Sequence, residues 1–531
     1  MWNESYVERK PSEPRINSWH AVPPESSNPL RSDVMDFSVF DWFIVAAYVA
    51  VTTWIGHRLK GKQETTHDFF LAGRQIPWYA VSASIIATTI SAVTFIGVPA
   101  IAFASDGNFA YLQLAIGGVI ARLLIARYLI PRYYQANYYS PYDYMSDRLG
   151  VGIGRLTAGL FIVGGILGQS VRVYATALVF ELLTGWSMAE SITVIALFAI
   201  LWTWMGGVAT VIWTDVVQFF ILIAGAVAAL VVMTGALPDG WHTLSEMGST
   251  AEKFQVFDFS SDPRVAFTFW AALIALPFQG ISVYGTDHLF TQRLLCCKDQ
   301  DQAKKALLWS IAGETIPALM LLVGVGLYAF YTLNPLAPEL ASLVDAKGDR
   351  IFPVFIISEM PVGVRGLLIA GILSAAISSL DSILSALAQI SVTMFYKPFV
   401  RPDSDDSHYL KVSRGLVIIW GIVLGFTAWQ FSRNSGDLIT LAFSMTTYTL
   451  GPMLGLFALS ILSTRFNVGG LAPAVALSML GVLIINEPEL FHWVLPTTAN
   501  TPLLAWPWLF PIGTLLCVLL ALRGRKMSSC V

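Results

Sequence analysis

The 531 residues are 55% hydrophobic and only 13% charged, with a mean hydropathy of +0.63. A soluble domain carries roughly 25% charged residues, so the composition excludes one and indicates an all-α polytopic membrane protein. The net charge of -3 suggests no nucleic-acid partner, and nothing in the chain implies an obligate protein partner.

Residues 1–36 are polar, contain proline and lack the basic-then-apolar order of a secretory signal, so a disordered tail is expected, as it is for 527–531. Apolar runs of about 20 residues suit a bilayer core. They predict about thirteen spanning helices within 37–526, near 37–58, 77–104, 109–131, 152–183, 187–205, 209–235, 264–290, 305–333, 361–395, 411–432, 436–463, 469–485 and 504–522. Basic residues gather in alternate connections: Arg58 to Arg74, Arg127 to Arg155, Arg293 to Lys305, Lys397 to Arg414 and Arg523 to Lys526. The positive-inside rule makes these cytoplasmic, with the N-terminus outside and the C-terminus inside a plasma or inner membrane. Cys296, Cys297, Cys517 and Cys530 have neither zinc nor haem spacing and imply no disulfide framework.

The second span breaks its apolar run with Thr88, Thr89, Ser91, Thr94, Gly97 and Pro99, and the seventh with Pro277, Gln279, Gly280, Ser282 and Gly285. Five spans separate their starts, so the two segments run in opposite directions. Interrupted helices in matching positions mark the binding site of an inverted-repeat transporter, although Gly and Pro also serve ordinary kinked packing in membranes.

The ninth span contains AGILSAAISSLDSILSA, residues 370–386. Helical spacing places Ala375, Ser378, Ser379 and Ser382 on one small, oxygen-bearing face with Asp381 at its edge. Hydroxyls here, with carbonyls freed after Ala87 near Ile90, would cage a sodium ion; the same stripe also suits close helix packing. Asp215 lies about one turn into the sixth span, where it fits either an ion path or a helix cap. Asp381 lies deeper, and an intramembrane carboxylate is a functional-site hypothesis by default. Arg172, also intramembrane, pairs with an acidic solute or with Glu181 or Asp381. Asp287 and His288 fit a gate or a solvated cap, and Glu314 fits backbone freed by Pro317.

In chain order, ATTISAVTF (87–95), WTDVVQ (213–218), GTDHLFTQR (285–293) and AAISSLDS (375–382) resemble the solute:sodium symporters over about residues 37–465. That resemblance implies a LeuT-like fold of five plus five helices in inverted repeat, 77–235 and 264–463, followed by C-terminal helices at 469–522. It implies Na+ as the coupling ion, held by the carbonyls of Ala87, Ile90 and Ala375 and the hydroxyls of Ser378 and Ser379. A second sodium is implied at Asp215, Ser378, Asp381 and Ser382, with Asp381 replacing the usual serine. The stretch 87–106 is closest to the sialic acid transporters, which implies solute contacts at Thr89, Ser91, Thr94, Gln113 and Arg172.

The expected activity is sodium-driven import of a small polar solute, an organic anion such as a sialic acid or monocarboxylate. A sodium/sugar or polyol symporter is the alternative, and a passive channel is the rival from another class. The chain has no H-E-x-x-H, G-x-S-x-G or Walker loop, so no enzymatic activity is expected.

Overall fold

The computed structural model describes residues 37–59, 71–135, 138–205, 208–344, 348–433, 437–462, 468–487 and 503–523. Both expected tails, and Cys530, lie outside them. The described residues are helical throughout, with no strand among them. Seven helices are long and apolar enough to cross a bilayer, one further span is a bent pair, and five shorter apolar helices complete the thirteen.

In chain order, α1 is Val39–Leu59, and the broken second span is α2 (Trp78–Thr89) followed by α3 (Ala92–Phe103). Then come α4 (Leu114–Tyr134), α5 (Val151–Thr184), α6 (Met188–Met205) and α7 (Val208–Ala236). The seventh span contains α8 (Leu276–Ile281) and ends at α9 (His288–Leu295); α10 (Gln300–Trp309) and α11 (Thr315–Leu333) form the eighth. The ninth to thirteenth are α12 (Val364–Ile390), α13 (Asp406–Phe431), α14 (Leu438–Leu462), α15 (Leu471–Asn486) and α16 (Leu509–Arg523).

The expected break after Ala87 is present. Helix α2 stops at Thr89, Ile90 and Ser91 are extended, and the two halves meet at 56°. Because Ser91 has left the helix, its N–H cannot return to the Ala87 carbonyl as a continuing turn would require. The seventh span differs from expectation in the form of its interruption. Gln279 and Gly280 stay within α8, Ser282 and Gly285 lie in one of the two π-helical turns that flank it, Ala271–Ala275 and Ser282–Thr286, and the chain leaves the helix only at Asp287. Pro277 falls at the start of α8, where its missing N–H leaves little unsatisfied, so it does not break the helix.

Small residues set the spacing of the broken elements. A methyl group on Gly117 would lie 2.3 Å from Leu276 Cβ, and one on Gly280 would lie 2.6 Å from Ala121 Cβ, so α4 and α8 approach as closely as backbone allows. Gly117→Ala is therefore expected to destabilise by about 1–3 kcal/mol through overpacking. A lowered unfolding temperature in detergent checks this; an unchanged one would mean that the two helices tolerate separation.

Asp41 of α1 accepts from Arg365 Nε at 2.6 Å and from the Gly363 N–H at 2.7 Å, tying α1 to the start of α12. Lys253 is buried and donates to the carbonyls of Ala104 and Ser105, fixing the long connection after α7 to the end of α3. Charges in low-dielectric surroundings persist only when paired or hydrogen-bonded, and both groups are.

Candidate functional site

A cavity of about 200 Å³ opens at the break in the second span. Thr89, Ser91 and Thr94 line it, together with Arg172 of α5, Tyr284, Glu314 and Thr446. Four expected solute residues thus share one wall system. Thr94 Oγ1 donates to the freed Thr89 carbonyl at 3.3 Å, and Thr89 Oγ1 lies 3.4 Å from the Tyr284 hydroxyl. Gln113 does not line the cavity. Its amide donates to the Ala110 and Phe267 carbonyls, both at 3.2 Å, and its oxygen accepts from the Asp258 N–H at 3.3 Å. This brings the loop after α7 against the entrance to α4.

Arg172 forms neither of the ion pairs considered from sequence. Glu181 pairs with Arg350 at 2.9 Å, and Asp381 hydrogen-bonds Thr203 of α6. Instead, one Arg172 nitrogen donates to the Thr88 carbonyl at 3.1 Å and to Ser379 Oγ at 3.5 Å. A single guanidinium nitrogen therefore touches both the end of α2 and the serine stripe of α12. Among the described residues Arg172 forms no ion pair, and Asp287 acts on it only from beyond ion-pair distance.

The stripe on α12 packs as expected: Ala375, Ser378, Ser379, Asp381 and Ser382 are all buried. Ser378 donates its hydroxyl to Asp215 Oδ1, while Ser84 of α2 donates to Asp215 Oδ2 at 2.5 Å. Asp215 is thus no helix cap. It joins α2, α7 and α12, and Ala87 and Ile90 lie only a turn or two along α2 from Ser84. Through Asp215 the hydroxyls of Ser84 on α2 and Ser378 on α12 meet at one oxygen-rich junction.

The junction contains a group that sequence reasoning missed. Arg293, 1% exposed, extends from α9 into the serine cluster. Its Nε donates to Ser84 Oγ at 2.8 Å, one Nη to the Leu289 carbonyl at 2.7 Å, and the other to Ser382 Oγ at 2.7 Å and Asp215 Oδ2 at 3.3 Å. Three of the oxygens expected around a second sodium therefore lie against a guanidinium or its direct partners. The motif GTDHLFTQR held the signal, because His288, Gln292 and Arg293 are all buried. Asp287 accepts from the Leu289 N–H at 2.7 Å and caps α9, one of the two roles the sequence allowed it, whereas His288 is fully enclosed against Gln389 at 3.1 Å and is not a solvated cap.

Glu314 also departs from expectation. It does not serve the backbone before Pro317 but forms an ion pair with Arg122 at 2.5 Å. Among the described residues no group of three His, Cys, Asp or Glu side chains could hold a metal ion.

Broken antiparallel helices around a polar, membrane-embedded cavity, with an oxygen-rich junction beside it, define a secondary transporter of LeuT-like fold. The profile of the sodium:solute symporter family matches residues 69–481, and the chain belongs to that family. It is 29% identical to sodium-coupled monocarboxylate transporter 2 of Bos taurus, over 88% of this chain and 77% of that one. It is 29% identical to the sodium/sialic acid symporter SiaT of Proteus mirabilis, over 84% of this chain and 90% of that one. Among solved structures, a substrate-bound, outward-open Na+-coupled sialic acid symporter superposes with a TM-score of 0.78 at 26% identity, covering 92% of this chain and 97% of its own.

Proposed function

We propose that the protein is a secondary active symporter that couples inward sodium movement to uptake of a small organic anion across the plasma or inner membrane. The observation that carries this reading is Arg172, a cavity-lining guanidinium that forms no ion pair among the described residues, its one acidic influence, Asp287, lying beyond ion-pair distance. A carboxylate solute supplies that counter-charge bidentately; a sugar or polyol would leave the cation unbalanced in a low-dielectric site. Thr89, Ser91 and Thr94 supply the neighbouring polar contacts, while Gln113 shapes the outer rim. The relatives that carry sialic acids and monocarboxylates support the same class of solute. No catalytic step is assigned to any residue.

Sodium in this reading binds to the carbonyls of Ala87, Ile90 and Ala375 and the hydroxyls of Ser378 and Ser379. The ion braces α2 against α12 and so shapes the solute pocket, and the two ligands share one coupling free energy. The helices from 77–235 and 264–463 act as the two inverted repeats, rocking around the fixed site. With the N-terminus outside, Arg293 lies on the cytoplasmic side of Asp215 and closes that path. A second sodium at Asp215, Asp381 and Ser382 binds there only once Arg293 has withdrawn.

A thermal-shift screen of monocarboxylates, sialic acids, sugars and amino acids, with and without sodium, tests the solute class, because a ligand stabilises in proportion to its occupancy. Stabilisation by carboxylates only in sodium is expected. Stabilisation by neutral sugars alone would contradict it. Ser379→Ala removes one of five proposed ligands and is expected to raise the sodium concentration for half-maximal uptake by about tenfold, near the energy of one hydrogen-bond-like contact to a charge. Unaltered sodium dependence in that variant would remove α12 from the ion site.

A further inference from the structure

Glu314 lines the solute cavity, and its ion-pair partner Arg122 does not. The glutamate side chain is 23% exposed and the arginine 2%, so the pair turns its negative end toward the cavity and hides its positive end behind. Arg122 is held from the other side by the Tyr284 ring, whose centroid lies 4.1 Å from the guanidinium carbon, a cation–π contact that suits a desolvated site. Tyr284 in turn reaches Thr89 at 3.4 Å, one of the residues at the helix break.

Gly118 of α4 makes room for this arrangement. A Cβ there would lie 3.1 Å from both Arg122 Nη1 and Glu314 Oε1. Only Oε1 of the carboxylate is engaged among the described residues, which leaves Oε2 as an acceptor on the cavity side.

We propose that Glu314 is a specificity-determining residue that accepts a hydrogen bond from a hydroxyl group of the solute, which makes hydroxylated monocarboxylates the substrate class. This rests on the reading of Arg172 as the carboxylate anchor. Arg122 already neutralises Glu314, so the cavity keeps the single positive charge of Arg172 and matches a monoanion bearing neutral donors. A second carboxylate on the solute would meet Glu314 and be repelled.

The test compares glycerate with propionate, which have the same carbon count and differ by two hydroxyls, alongside succinate. Dissociation constants are measured on the full-length protein in detergent with sodium present. Wild type is expected to bind glycerate at least tenfold more tightly than propionate, the range of one hydrogen bond to a charged acceptor, and to bind succinate more weakly than glycerate. Because Glu314→Gln alone leaves Arg122 unpaired and can impair folding, the decisive variant is Arg122→Gln with Glu314→Gln, which keeps the charge balanced. In it the glycerate preference is expected to fall to about twofold or less while sodium-dependent propionate binding persists. Equal binding of the two acids by wild type, tighter binding of succinate, or an undiminished preference in the double variant would each overturn the inference. Sodium-dependent binding of none of these carboxylates would overturn the Arg172 reading itself, and this inference with it.

Discussion

Replacing Arg172 with glutamine is expected to raise the solute concentration for half-maximal uptake by roughly 10- to 100-fold, the loss of one or two hydrogen bonds to a charged partner. The fold should survive, because the side chain gives up only the Thr88 carbonyl and the Ser379 hydroxyl and glutamine can still donate to either. Arg172→Lys keeps the charge but not the planar fork, so an intermediate loss is expected. Initial uptake rates against solute concentration at saturating sodium check this. If the glutamine variant kept wild-type solute affinity, Arg172 would be a structural brace between α2 and α12 rather than the anchor of an anion.

The second large effect concerns Asp215 and Arg293. Both are 1% exposed and share Ser84, and Arg293 also holds Ser382. Removing one partner leaves an uncompensated buried charge, and such changes cost about 3–5 kcal/mol. Asp215→Asn or Arg293→Gln alone is thus expected to lower the unfolding temperature strongly, and the two together to recover a large part of the loss. Additive losses in that cycle would mean no direct coupling. Uptake separates stability from mechanism. Arg293→Gln should also open the path between Asp215 and the cytoplasm, so residual protein should leak sodium faster than wild type.

Thirteen spans were legible because lipid demands a continuous apolar stretch for each crossing, and the break after Ala87 was legible because polar and glycine residues interrupt one. The seventh span was only partly so. Its polar and glycine residues read as a mid-helix break, whereas α8 keeps Gln279 and Gly280, a π-helical turn absorbs Ser282 and Gly285, and the chain departs at Asp287. A wider helical turn leaves no distinctive composition.

The serine stripe of α12 followed from helical spacing alone. Arg293 was hidden because it opens a basic run, Arg293 to Lys305, and charge counting assigns the whole run to a cytoplasmic loop. Only tertiary packing turns this one residue inward while Lys298 and its neighbours remain outside the core. Arg122 lay in plain view within the apolar run GGVIARLLIARYLI, and the default that treats an intramembrane charge as functional applies to it as it does to Arg172. Its partner Glu314 is 192 residues away, a pairing that no local pattern encodes.

Purified protein in sealed proteoliposomes, given a tenfold inward sodium gradient and a labelled hydroxylated monocarboxylate at equal concentration on both sides, provides the most direct test of sodium coupling. A tenfold gradient is worth about 1.4 kcal/mol per ion, and one sodium per monoanion moves no net charge. Accumulation approaching about tenfold inside, abolished when an ionophore equalises sodium, is the expected result. Solute that never rises above its external concentration, whatever the sodium gradient, would mean passive permeation and contradict symport.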